Sequence, residues 1–165
     1  MGKPPIVAVV GKSDAGKTTF LEKLIKELKS RHIKVGTIKH DVHGFDIDKP
    51  GKDTWRHAQA GADAVIISSP AKVALIKKME EEMSLDQAAA LISDMDIILT
   101  EGYKSSYKPK IEINRTAHSA ELLCTPGELI AVVSDAEWQV GVPVFGLDDA
   151  PGVACLLQKK YGLVG

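Results

Sequence analysis

An open, mainly parallel α/β sheet with helices on both faces is the fold this sequence predicts, and three observations carry it. Residues 6–10 and 97–100 are continuous apolar, β-branched runs, the pattern of strands buried on both faces of a parallel sheet. Leu21, Leu24, Ile25 and Leu28 fall at i, i+3, i+4 and i+7 with Lys and Glu between them, which is an amphipathic helix. Strand and helix patterns then alternate along the chain, as they do when crossover helices join parallel strands.

Taken in order, the run at 6–10, the helix after it and a second strand at 33–39 make one βαβ unit. Residues 40–53 form a polar loop rich in His, Asp and Gly, longer than most connections and therefore a place to look for function. A short helix is expected at 54–60, closed by Gly61. Strands at 64–68 and 73–77 flank Ser69-Pro70-Ala71 as a hairpin, giving the sheet a mixed character. Ser84-Leu-Asp-Gln87 resembles a capping box opening a helix through Ile92. Beyond the strand at 97–100, Lys110 to Asn114 alternates polar and apolar as an edge strand does, and so is a candidate to pair across a two-fold axis. Short apolar strands at 129–133 and 144–146 and a helix at 151–161 with Pro near its start complete the pattern.

Composition bounds the partners. The 165 residues suit a single domain, 1–165, whose core removes roughly 70% of the unfolded chain's surface from water. Hydrophobic residues at 44% and charged residues at 26% exclude general disorder. With 21 Lys+Arg against 22 Asp+Glu the net charge is -1, which argues against nucleic acid or an anionic membrane as the main partner. No apolar stretch approaches the roughly 20 residues that span a bilayer. The apolar run near the start is followed by a charged, glycine-containing loop, not a cleavage site. Cys124 and Cys155 match no metal or redox spacing, so a cytoplasmic location is expected.

The most informative segment is Gly11-Lys12-Ser13-Asp14-Ala15-Gly16-Lys17-Thr18, which fits G-x-x-x-x-G-K-[ST], the Walker A pattern, without departure. Gly11 and Gly16 let the backbone turn tightly around an anion. The loop feeds a helix N-terminus, where unpaired N–H groups and the macrodipole favour phosphate. Lys17 supplies a mobile charge for the β- and γ-phosphates, and the Thr18 hydroxyl can ligate Mg²⁺. Four specified positions occur by chance in about 0.5% of chains this long, and here the required strand precedes and the required helix follows. The prediction is a P-loop nucleotide-binding domain.

Glu101, where the strand at 97–100 leaves the carboxyl edge of the sheet, is the candidate second Mg²⁺ group; Asp96 lies at the opposite edge. No Asn-Lys-x-Asp tetrad reads guanine, although Asp135 occupies a comparable place after a late strand and could accept from the base. His40, His43 and His57 accompany Lys39, Lys52 and Arg56 around the 40–57 loop. Three readings stay open there: a solvated loop, a zinc or nickel site on the His-x-x-His pair, and an anion-binding surface for a phosphorylated partner molecule. A small P-loop kinase, phosphorylating a metabolite held by this loop, is the alternative function.

Residues Gly11 through Thr19, Ile38-Lys39-His40, Gly51-Lys-Asp-Thr54 with His57 and Ala60-Gly-Ala62, Thr100-Glu-Gly-Tyr-Lys104 and Pro109-Lys-Ile-Glu112 occur in one order along the chain. Together they resemble the MobB family of molybdopterin-guanine dinucleotide biosynthesis adaptor proteins, up to about Asp135. The resemblance implies a homodimeric GTP-binding adaptor with weak GTPase activity. Such an adaptor assists MobA, the guanylyltransferase that joins GMP to molybdopterin, and works beside molybdoenzyme maturation factors. Carried onto this chain, it makes the loop from Gly11 to Thr19 the nucleotide site and Lys17 and Glu101 the catalytic pair. Thr18 and Glu101 become the Mg²⁺ ligands, and the 40–57 segment with Tyr103-Lys104 part of a molybdopterin or partner surface. Guanine preference rests on the resemblance. Turnover is expected to be slow, because the sequence places no glutamine or arginine to complete the site.

Overall fold

The computed structural model describes residues 2–165, which fall into two compact units: residues up to His40 together with Asp86 onward, and Asp41–Leu85. The larger unit holds a six-stranded sheet formed by β1 (Ile6–Val10), β2 (Val35–Lys39), β5 (Ile97–Glu101), β6 (Lys110–Asn114), β7 (Leu129–Ser134) and β8 (Val144–Phe145). The order across the sheet is β2-β5-β1-β6-β7-β8, and every neighbouring pair is parallel. The antiparallel pair, β3 (Ala64–Ser69) with β4 (Lys72–Lys77), forms a separate two-stranded sheet in the smaller unit.

Helices α1 (Lys17–Ser30) and α4 (Ala150–Tyr161) close one face. Their apolar stripes, Phe20, Leu21, Leu24 and Leu28 on α1 and Val153, Ala154 and Leu157 on α4, share a core with alternate strand residues such as Val7, Val9, Leu99, Ile111 and Val133. Successive side chains of a strand point to opposite faces, so the intervening residues line the other side. The ends of α1 and α4 are joined by Arg31, which donates to Glu27 Oε1 at 2.6 Å, to Gln158 Oε1 at 2.6 Å and to the Pro151 carbonyl at 3.2 Å. Asp149 caps α4 by accepting from the Gly152 N–H at 2.8 Å, and Gly162 ends it in the left-handed region at φ 64.

On the second face the polar residues of the strands turn inward. Thr100, Lys110, Glu112, Asn114 and Ser134 are all buried. Lys110 donates to the Ser106 carbonyl and to Glu128 Oε1 at 2.8 Å, and Glu112 accepts from the Leu123 and Cys124 N–H groups at 2.6 and 2.9 Å. Strand β6 therefore corrects the expectation of an edge. It lies between β1 and β7 with all five residues buried, and its alternation comes from polar side chains that bind loop backbone. It has no unpaired side to offer across a two-fold axis. Towards β2 the second face is covered by the end of α3 (Leu85–Ala90) and the turn after it. There a Cβ on Gly36 would come within 2.9 Å of both Ile92 and Met95 side chains.

In the smaller unit, α2 (Asp53–Gln59) packs on β3, and Ser69 closes the hairpin turn by accepting from the Lys72 N–H at 3.1 Å. Val65 is buried, but Ile66, Ile67, Val73 and Leu75 are more than half exposed. Among the described residues no helix is long and apolar enough to cross a membrane.

Candidate functional site

The phosphate loop begins where β1 ends and is shaped by two close approaches. A Cβ on Gly11 would lie 2.4 Å from the Ile113 carbonyl of β6, so only glycine lets the loop leave the sheet along that path. Gly16 has φ 92, in the left-handed region, and Asp14 takes φ 60, a conformation Asp tolerates. Inside the loop the Ala15 N–H reaches the Lys12 carbonyl at 3.3 Å, and the Phe20 N–H bonds the Gly16 carbonyl at 2.9 Å as the helix starts. Helix α1 has no side-chain cap and no acidic residue in its first turn. Its N-terminal N–H groups are therefore left without a side-chain cap at the start of the helix, the arrangement that accepts an anion.

That cleft, of about 460 Å³, is lined by Ser13, Asp14, Gly16, Lys17, Thr18, Thr19 and Glu101. Gly11 and Ala15 are buried in the loop and the Lys12 side chain is exposed, and none of the three lines the cleft. The Lys17 ammonium donates to the Lys12 carbonyl at 2.8 Å, folded over its own loop. Partial burial holds its pKa below the usual lysine value; nearby Lys104 pushes the same way, and Glu101 and Asp14 oppose. Glu101 ends β5 where the sheet's carboxyl edge meets α1, and the Thr18 hydroxyl donates to its Oε1 at 3.1 Å. A hydroxyl and a carboxylate side by side are hard oxygen ligands, the donor set Mg²⁺ prefers, so these residues fit that ion.

Beyond Glu101 the chain turns at Gly102, with φ 104; a Cβ there would meet the His40 carbonyl at 2.6 Å. The turn stacks Tyr103 on His40, ring centroids 4.8 Å apart, so the ends of β2 and β5 are tied beside the cleft. Asp96 sits at the other edge of the sheet, accepting from the Lys34 N–H at 2.7 Å. The remaining members of the polar cluster, from His43 to His57, belong to the smaller unit. Among the described residues no group of three or more His, Cys, Asp or Glu side chains is placed to hold a metal ion.

Asp135 lies outside the phosphate cleft. It follows β7 and lines a second hollow of about 490 Å³ with Ser134, Trp138, Val144 and Phe145 among others. Its Oδ1 accepts from the Thr116 N–H at 2.9 Å, and that bond is the main reason its carboxyl is held below the usual aspartate range. Two residues that sequence reasoning passed over connect the regions. Arg115 donates from Nε to the Ala15 carbonyl at 3.2 Å, and Asn114 accepts from the Ser134 hydroxyl at 3.3 Å. Their signal was position: an Asn-Arg pair ending a strand beside the one that feeds the phosphate loop.

Against known proteins, the family model for molybdopterin guanine dinucleotide synthesis protein B, MobB, matches residues 6–135. The chain belongs to the MobB family. A MobB relative from Escherichia coli, a molybdopterin-guanine dinucleotide biosynthesis adapter protein, is 38% identical over 168 residues, covering 96% of each chain. The adapter protein of Haemophilus influenzae is 33% identical over 94% of this chain and 88% of its own. A crystal structure of molybdopterin-guanine biosynthesis protein B superposes with a TM-score of 0.73 at 28% identity, covering 96% of this chain and 99% of the other. Bacillus subtilis MobB gives 0.72 at 26% identity, covering 95% and 98%. The family resemblance of the motifs and the open α/β fold both hold.

Proposed function

We propose that this chain is a GTP-binding adaptor of molybdopterin-guanine dinucleotide biosynthesis, acting as one nucleotide-binding domain in which residues 41–85 form an insertion. The observation that carries the reading is the pairing of Thr18 with Glu101 at 3.1 Å beside the uncapped start of α1. Phosphate oxygens accept from the backbone N–H groups of residues 13–19, and Lys17 leaves the Lys12 carbonyl to meet them. Thr18 and Glu101 hold Mg²⁺, which supplies charge neutralisation on the phosphate oxygens when bound. Glu101 orients the water near the terminal phosphate, and hydrolysis is slow because the cleft lining contains no glutamine or arginine. Asp135 accepts from the guanine edge, its second oxygen serving while the first stays on Thr116.

The adaptor serves the guanylyltransferase MobA. Molybdopterin or a maturation partner meets the surface around Tyr103 and Lys104, beside His40. A second copy of the chain covers the apolar hairpin, whose Ile66 and Val73 are 63% and 68% exposed. Two free cysteines support a reducing, cytoplasmic location.

Calorimetric titration with GTP and then ATP, each with Mg²⁺, tests the reading, with Lys17→Ala as the control. The expected result is GTP preferred at least tenfold, about 1.4 kcal/mol, with binding lost in the control. Equal or tighter ATP binding overturns the guanine assignment in favour of a kinase acting on a small acceptor.

A further inference from the structure

Residues 114–116 run from the last residue of β6 into the turn after it, and β6 lies between the strand that feeds the phosphate loop and the strand that ends one residue before Asp135. Each of the three holds a different piece of the nucleotide machinery. Asn114 is buried; its amide donates to the Ser119 and Glu121 carbonyls at 3.4 and 3.3 Å while its oxygen accepts from Ser134. The same Ser134 hydroxyl oxygen accepts from the Ala136 N–H and the Trp138 indole N–H, both at 3.1 Å, and so shapes the loop that carries Asp135. Thr116 donates its N–H to Asp135 itself. Between them, Arg115 turns the other way, onto the phosphate loop.

The contact of Arg115 is made to backbone. Its Nε donates to the Ala15 carbonyl at 3.2 Å, and the guanidinium lies so close to the Gly16 turn that a Cβ there would sit 3.3 Å from Nε and 3.5 Å from Nη2. A P-loop binds anions only while its carbonyls point away from the centre and its N–H groups point into it. A planar cation donating to the Ala15 carbonyl, a residue outside the cleft lining, holds that polarity, and its rigid guanidinium loses less freedom in doing so than a lysine ammonium.

We infer that Arg115 is a positioning residue for nucleoside polyphosphates: it fixes the Ala15 carbonyl outward so that the loop's N–H groups converge on the phosphates. Because the next residue, Thr116, holds Asp135, two adjacent residues just past β6 link the phosphate loop to the base-side carboxylate. The inference rests on the nucleotide-binding reading above and adds to it a residue outside the Walker A pattern.

The test compares the whole protein with Arg115→Gln and Arg115→Lys, titrated with GDP and with inorganic pyrophosphate, each with Mg²⁺. Positioning through the loop predicts that Arg115→Gln weakens both ligands by the same factor, tenfold or more. Arg115→Lys, which keeps the charge and guards against loss of folding, falls between. The ligand-free unfolding midpoint of the lysine variant stays near that of the unsubstituted chain. A loss confined to GDP means that Arg115 touches the nucleoside, and overturns the inference; so does unchanged affinity for both. The parent reading fails separately: an unsubstituted chain that binds pyrophosphate but shows no guanine preference removes the GTP assignment and leaves the Arg115 comparison intact.

Discussion

One face of the six-stranded sheet is closed by helices and the other largely by loops, and the buried polar side chains of the strands all lie on the loop face, among apolar neighbours such as Ala8, Ile98 and Val132. Under α1 and α4 the strands present Val7, Val9, Leu99, Ile111 and Val133 to Leu24, Leu28, Val153 and Leu157, all buried. On the opposite face the same strands present Thr100, Lys110, Glu112, Asn114 and Ser134, equally buried. Helices satisfy their own backbone and ask only for apolar contact. Loops bring unsatisfied N–H and C=O groups, so burying them against a sheet demands polar partners at fixed positions. The loop face is the one that holds the segments 103–109 and 115–125, from which Arg115 reaches the Ala15 carbonyl, while the helix face holds the apolar core.

Substitutions can sharpen this contrast. The largest effect is expected for Leu24→Ala on the helix face, where lost transfer energy and the cavity left behind cost about 2–5 kcal/mol. A urea titration of unfolding reads it, with nucleotide affinity unchanged under native conditions. Glu112→Gln on the loop face is expected to cost about 1–3 kcal/mol, because a neutral amide leaves one of the Leu123 and Cys124 N–H groups badly partnered. The same variant should raise proteolytic cleavage within 115–125, whereas Leu24→Ala should not do so selectively. Equal cleavage patterns in the two variants would erase the contrast between the faces.

The smallest effect is one of pH. Lys110 is the main cause that holds the Glu128 carboxyl down to about 2, with the Thr125 N–H and hydroxyl adding to it. A carboxylate depressed in the folded state contributes stability that is present above its unfolded value, near 4.5, and lost as pH falls towards 2. The urea midpoint should therefore drop as pH falls between those values, and Glu128→Gln should flatten part of that slope and lower the midpoint at pH 7 to 9, where the ion pair with Lys110 is fully formed.

The helix face was legible in the sequence because periodicity reports apolar contact: Leu21, Leu24, Ile25 and Leu28 announce α1, and the runs in β1 and β5 announce strands buried on both sides. The phosphate loop was legible because its chemistry needs fixed residue types at fixed spacing. The loop face was not. Lys110-Ile-Glu-Ile-Asn114 has the alternation of a strand with one side in water, and nothing local distinguishes a solvated Glu from one that accepts two backbone N–H groups eleven and twelve residues away. Arg115 escaped for the same reason, since its partner at Ala15 is a hundred residues earlier.

The insertion at 41–85 bears on the order of assembly. Strands β2 and β5 are neighbours, with Val35 opposite Ile97 and Lys39 opposite Glu101, yet the whole smaller unit lies between them in the chain. Pairing them closes a long loop, and the entropy of closure grows only logarithmically, roughly 0.6 kcal/mol for each doubling of length. If the hairpin forms first, from contacts close in sequence, the effective loop shortens and β2 finds β5 sooner. Thermodynamics therefore barely polices the length of this segment. The sheet can accept longer or shorter versions of it at little cost in closure entropy.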